Sequence, residues 1–133
     1  TAVNKRPFKV WVAQSADACE RLAETTNYTF GAGIFLIVGA KEDEAWVRSY
    51  DGRNFADVDA AIAATHIMLA IQNEGLGSTW IGHFDAPKLK EAFPMMEGYD
   101  LIAIFPIGFP TEKGVPSPRH TVRKDYEDFV ETL

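Results

Sequence analysis

The sequence has a single cysteine, Cys19, among 133 residues. One thiol excludes an internal disulfide and any cysteine-built metal cluster, and a reducing compartment is the simpler expectation. Long apolar runs are lacking too. The longest, Gly33 to Ala40, is far shorter than the roughly 20 residues a membrane-spanning helix needs, and no signal-like segment is read before it. Basic residues are the minority: 13 Lys and Arg against 19 Asp and Glu leave a net charge of -6. That balance argues against nucleic acid, whose phosphates are gripped by clustered Lys and Arg. We therefore expect a soluble, cytoplasmic protein with neither nucleic acid nor membrane as a partner. Hydrophobic residues at 47% and charged residues at 24% fit one globular domain over residues 1–133. An initiating Met is lacking as well, and the chain enters a strand by Phe8, which reads as a mature, cleaved or incompletely represented chain.

What is present can be read as elements. Phe8, Val10 and Val12 alternate with Lys9 and Trp11, the period-2 pattern of a strand with one buried face. Ser15 is placed to cap a helix running to about Thr25, with Ala18, Cys19, Leu22 and Ala23 on one stripe, so Cys19 reads as core. Ile34 to Val38 reads as a strand buried on both faces. Lys41 to Asn54 carries the Asp51-Gly52 turn signal and reads as a connecting loop. From Phe55 or Ala56 to about Glu74 an Ala-rich stretch, apolar on most of its circumference, predicts a long buried helix ended by Gly75. Thr79 to Ile81 predicts a short strand, Asp85 a capped helix with Pro87 in its first turn, and Leu101 to Ile107 a second buried strand. Pro106 in that strand marks an edge or a bulge. Gly108 to Pro118 is too rich in proline and glycine for regular structure, and a polar helix from roughly Arg123 to Glu131 closes the chain.

Several chemistries lack their residues. His66, His83 and His120 have none of the i, i+4 pairing of a helical zinc site, so no metal site is expected. Gly75-Leu76-Gly77-Ser78 follows a helix and precedes a strand, the reverse of the order that sets a phosphate on a helix N-terminus. No G-x-S-x-G occurs, which leaves hydrolase chemistry without support.

Three ordered blocks remain. Thr1-Ala2-Val3-Asn4-Lys5-Arg6-Pro7-Phe8 leads into the first strand. Asp57 to Phe84 contains Val58-Asp59, then Thr65-His66-Ile67-Met68-Leu69, then Gly75-Leu76-Gly77-Ser78-Thr79-Trp80-Ile81-Gly82. Pro106-Ile107-Gly108-Phe109-Pro110 is followed by Pro116-Ser117-Pro118-Arg119. In order and spacing these blocks resemble the nitroreductase family: its P-S/T-x-x-N-x-Q-P-W/F loop, its G-L-G-S/T-x-W-I/V-G turn, and its L/I-G-Y/F-P strand end with a basic phosphate loop. Arg6 stands where that pattern has Gln, and the family's usual N-terminal segment is not among the blocks.

The resemblance implies an α+β, nitroreductase-like fold, with a central mixed, largely antiparallel sheet packed around a buried central helix. It implies a homodimer with FMN at each interface and NAD(P)H as co-substrate. Thr1, Ala2 and Asn4 match the loop that lies against the flavin ring. Ile81, Gly82 and His83 match the stretch whose backbone amides face the hydride-accepting edge, and Arg119 matches the residue on the FMN phosphate. Hydride would pass from NAD(P)H through FMN to an electron-poor acceptor of nitroaromatic or quinone type, with no side-chain acid or base required. A non-catalytic FMN-binding protein for storage, sensing or delivery, or a truncated domain without activity, is the alternative. His66 reads as a satisfied core histidine and Trp80 as core. The short stretch from Tyr28 to Gly33 carries nothing that assigns it a flavin contact.

Overall fold

A computed structural model describes residues 1–133. Three strands, β1 (Phe8–Ala13), β2 (Ile34–Ala40) and β3 (Asp100–Ile107), form one sheet in the order β1-β2-β3. Both pairings are antiparallel, with Ala13 opposite Phe35 and Ala40 opposite Asp100. The sheet, which the family resemblance implies to be mixed and largely antiparallel, is antiparallel at both of its pairings. Each connection returns the chain to the end of the sheet it has just left.

The central strand β2 feeds two apolar layers, because successive side chains point to opposite faces. Phe35 and Ile37 pack with Leu22, Leu89, Met96 and Ile104 on one side. Val38 and Ala40 pack on the other side with Ala56, Ala60, Ala64, Ile71 and Phe105. β1 also serves both sides. Trp11, expected to point outward, packs against the first of these layers and meets Tyr99 edge-on at 5.0 Å, while Val12 is exposed.

The first layer is completed by α1 (Ala16–Ala23) and α3 (Ala86–Ala92). Each begins on a side-chain cap: the Ser15 hydroxyl accepts from Ala18 N–H at 3.2 Å, and Asp85 Oδ1 accepts from Lys88 N–H at 3.0 Å. Cys19 is half-buried on the inner side of α1, its Sγ 3.4 Å from the Gly33 carbonyl.

The second layer is α2 (Ala56–Asn73), 18 residues and therefore about 27 Å long. Its buried stripe runs through Ala56, Asp59, Ala60, Ala64 and Ile71, and the small alanines let the helix lie close against the sheet. Gly75 ends it at φ +73, donating to Gln72 O while Leu76 N–H reaches back to Ile71 O, the paired bonds of a Schellman motif. The sequence predicted burial on all sides, but the opposite stripe of Ile62, Thr65, His66, Leu69 and Asn73 is exposed. These residues recur every three or four positions and define one face. His66 lies on that open face with Nδ1 2.9 Å from Ile62 O, not in the core. No helix is long and apolar enough to cross a membrane.

Pro106 sits on the outer edge of β3. Ile104 and Gly108, two residues to either side, point their N–H groups outward to Ile81 O and Gly77 O, so proline at 106 removes no bond to β2. The sheet's irregularity lies elsewhere, at Val38/Gly39. The predicted strand at Thr79–Ile81 reduces to isolated bridges, Gly77 with Gly108 and Ile81 with Ile104. The predicted C-terminal helix is absent: only a 3-10 turn, Tyr126–Asp128, forms. A short helix is marginal without a surface to pack on, and every residue from Gly108 to Leu133 is exposed.

The start of the chain is tied to α2. Residues Ala2–Asn4 form a 3-10 turn, and Val3, Asn4 and Arg6 hold left-handed φ values of 43, 58 and 54. Such values are costly for residues other than glycine, above all for β-branched Val3. Asp59, 2% exposed, accepts from Ala2 N–H at 2.8 Å through Oδ1, and Thr1 Oγ1 accepts from Arg6 N–H at 3.0 Å. Asp59 Oδ2 is buried without a partner.

Two substitutions test this packing. A Cβ at Gly39 would stand 2.9 Å from the Trp11 ring and 3.2 Å from Tyr99 Cβ. Gly39→Ala is expected to lower stability by about 1–3 kcal/mol in urea unfolding, the usual range for overpacking. A hydrogen bond to a carboxylate contributes about 1.5–3 kcal/mol, so Asp59→Ala should speed amide exchange at Ala2 by about tenfold or more. Asp59→Asn, which keeps Oδ1, should preserve the protection.

Candidate functional site

Where the first layer meets the edge of β3, the chain opens into a cleft of about 250 Å³ lined by Tyr28, Phe30, Thr79, Trp80, Ile81, Gly82 and His83. One wall is the segment that leaves α2 after Gly75. Ile81 anchors it by exchanging two hydrogen bonds of 3.0 Å with Ile104. Beyond Ile81 the backbone leaves the sheet, and the N–H groups of Gly82 and His83 donate to no acceptor in the chain. Both residues are exposed and line the cleft. Trp80 lies across the wall, 37% exposed, and meets Phe105 edge-on at 5.4 Å, so it belongs to both core and cleft.

Gly82 is not required by backbone conformation, since its φ is not positive. A Cβ there would find only the Trp80 indole nitrogen, at 4.0 Å. The space in front of this glycine is open.

The other wall is the loop after α1. Tyr28 and Phe30 stack at a tilt with ring centroids 6.3 Å apart, and Tyr28 meets the His83 ring edge-on at 5.9 Å. Phe30 holds a left-handed φ of 51 and is 70% exposed, followed by Gly31 at φ 69. The sequence reading gave this loop no role. Its available signal was two aromatics in a short glycine-flanked segment, which a folded core did not need.

The residues singled out from the sequence fall into three places. Ile81, Gly82 and His83 come together in the cleft wall. Ile81, however, has its N–H committed to β3, so Gly82 and His83 supply the open amides. Thr1, Ala2 and Asn4 gather instead beside the first turn of α2, near the sheet end where Pro7 O accepts from Lys41 N–H. Arg119 lies in an exposed 3-10 turn, Pro118–Thr121, with its guanidinium in no ion pair or hydrogen bond within the chain. Every hydrogen bond made beyond Phe109 stays local to that C-terminal segment.

No Asp, Glu, Lys or Arg lines the cleft. In the 41–54 connection, the Arg48 guanidinium hydrogen-bonds both oxygens of Asp51 and holds that carboxyl below its ordinary range. Hydrogen bonding to Glu44, reinforced by Asp43, raises the Lys41 ammonium. The cleft lining is largely aromatic and apolar, with Thr79, His83 and the unengaged backbone amides of Gly82 and His83 as its polar groups.

The fold has known counterparts. The model of the nitroreductase family matches residues 12–109. A nitroreductase family protein from Clostridium difficile 630 superposes with a TM-score of 0.87 at 27% identity, over 100% of this chain and 78% of that one. One from Clostridium novyi NT gives 0.71 at 29% identity, over 83% of this chain and 65% of that one. A protein from Exiguobacterium sibiricum 255-15, solved in complex with FMN, shares the fold with a TM-score of 0.80 at 17% identity, over 98% of this chain and 79% of that one. No curated protein matches the chain. With the family's α+β fold present throughout and its model covering most of the sequence, the chain belongs to the nitroreductase family, a family of oxidoreductases.

Proposed function

We propose that the chain is an FMN-dependent oxidoreductase that works as a cytoplasmic homodimer and draws its electrons from NAD(P)H. The observation that carries this reading is the pair of unengaged amides at Gly82 and His83, set in an aromatic cleft and fronted by a glycine that leaves room for a ligand to approach. A flat, mostly apolar ring with a polar edge fits that lining. Fixed N–H dipoles stabilise negative charge without reorganising, so Gly82 and His83 would favour the ring's reduced state. The chemistry FMN supplies when bound is hydride relay from NAD(P)H to an electron-poor acceptor of nitroaromatic or quinone type. The protein's share is placement: Ile81 fixes the amide pair to β3, and Tyr28, Phe30 and Trp80 keep water from the ring face.

The cleft is smaller than the about 300–1,000 Å³ usual for a ligand pocket and has no far wall. A second copy would supply one. The open face of α2, with Ile62 at 47% and Leu69 at 60% exposure, needs a cover. The C-terminal segment exposes Phe109, Val115, Val122, Tyr126 and Phe129 without touching its own core through any hydrogen bond, which suits an arm laid on a partner. In such a dimer the left-handed loop of Thr1, Ala2 and Asn4 would face the ring from the other subunit, and Arg119 would hold the phosphate as a bidentate donor. The half-buried lone Cys19 suits a reducing compartment.

The purified protein should carry the visible absorption of a flavin, and it should oxidise NAD(P)H when a quinone or nitroaromatic is added. A colourless protein that takes up no added FMN overturns the flavin reading, and tight FMN without turnover overturns catalysis. Gly82→Val should leave the fold intact and weaken FMN by about 1–3 kcal/mol through steric conflict. Arg119→Ala should cost about 1.5–3 kcal/mol of FMN affinity in the same titration. In sedimentation the wild type should run as a dimer, and Leu69→Glu, which buries an unpaired charge in the proposed interface, should run as a monomer.

A further inference from the structure

One hydroxyl joins the two walls of the cleft. Thr26, 8% exposed, donates from Oγ1 to His83 O at 2.9 Å, and the same oxygen accepts from Tyr28 N–H at 3.3 Å. Its neighbour reinforces the junction: Thr25 O accepts from Asp85 N–H at 2.8 Å. The loop after α1 is otherwise a poor bearer of a rigid wall, since it turns through left-handed Phe30 and Gly31 and offers its aromatics to solvent. The Gly82–His83 stretch is equally unsupported by sheet bonding once the chain passes Ile81. Each wall is thus held mainly from the side, and Thr26 lies between them as donor to one and acceptor from the other.

We propose that Thr26 is a positioning residue of the flavin site, holding the Tyr28 wall and the Gly82–His83 amides in register. It touches no reacting atom and acts through the groups it orients. A hydroxyl suits the task because a single oxygen both donates and accepts, whereas a methyl of the same shape does neither. With its carbonyl fixed, His83 loses backbone freedom, and its ring stays against Tyr28 at 5.9 Å. This inference deepens the FMN reading and rests on it for the identity of the ligand.

The test compares Thr26→Val, which keeps the shape and removes the hydroxyl, with Thr26→Ser, which restores it. Thr26→Val should fold, speed amide exchange at Tyr28, weaken FMN about tenfold and shift the bound flavin's visible spectrum as the amides at its edge move. Thr26→Ser should return all three toward wild type, a rescue that a general loss of packing would not produce. Wild-type FMN affinity and spectrum in Thr26→Val overturn the positioning role and leave the flavin reading standing. A wild-type chain that binds no FMN overturns the flavin site, and with it the role claimed for Thr26 there. Unchanged exchange at Tyr28 in Thr26→Val overturns the clamp itself.

Discussion

The molecule depends on β2 being covered on both faces. A three-stranded sheet has one central strand, and here its residues alternate between two separate apolar clusters, Phe35 and Ile37 on one side, Val38 and Ala40 on the other. Neither layer alone would bury both faces. The long helix α2 must therefore take one side, and the pair α1 and α3 the other. The cleft follows from this division. The chain that leaves α2 at Gly75 crosses the outer edge of β3 through the bridges at Gly77 and Ile81, then reaches α3 on the opposite layer. Gly82 and His83 lie on that crossing, where the backbone has left the sheet and has not yet entered a helix. Two amides are left open there because the fold changes layers.

The layer arrangement also explains why α2 looks unfinished. A helix that packed only on this sheet would need one apolar stripe, and Ala56, Asp59, Ala60, Ala64 and Ile71 provide it. Ile62 and Leu69 on the far side add nothing to the core of a single chain. Exposed apolar surface grouped on one face in this way marks a place where another surface binds. The exposed aromatics of the C-terminal segment pose the same requirement from the other end of the sequence. A homodimer, as proposed, meets both with one contact and supplies the missing wall of the cleft.

The elements with strong local signals were legible in the sequence. Ser15 and Asp85 cap the helices they were expected to cap, Gly75 takes the left-handed position after α2, and Pro106 lies on an edge. Legibility failed where partners decide. The periodicity of α2 distinguishes an apolar circumference from an amphipathic one, but not a side covered by its own sheet from a side awaiting another surface. Arg123 to Glu131 has the composition of a polar helix, yet no neighbour stabilises one, and a single 3-10 turn is what forms. At the candidate site, Ile81, Gly82 and His83, which line the cleft, were singled out by their match to a family motif. Tyr28, Phe30 and Thr26 were not, because they sit in a loop that meets His83 only through Thr26 and Tyr28, 57 and 55 positions away along the chain, and so leave no local pattern.

Backbone strain gives an independent view of the same surfaces. Four residues other than glycine hold positive φ: Val3, Asn4, Arg6 and Phe30. A left-handed conformation costs of order 1–3 kcal/mol and persists only where surroundings impose it. Both strained segments are tied down by a neighbouring residue. Asp59 spends a buried carboxylate on the amide of Ala2, and Thr26 binds the loop that carries Phe30. None of the four strained residues belongs to either core cluster. What the strain shapes is surface: the turn at Thr1, Ala2 and Asn4, and the aromatic wall of the cleft. In the proposed dimer these are the two surfaces that meet across one flavin ring, and the cost of holding them is then offset by a site that neither could form alone.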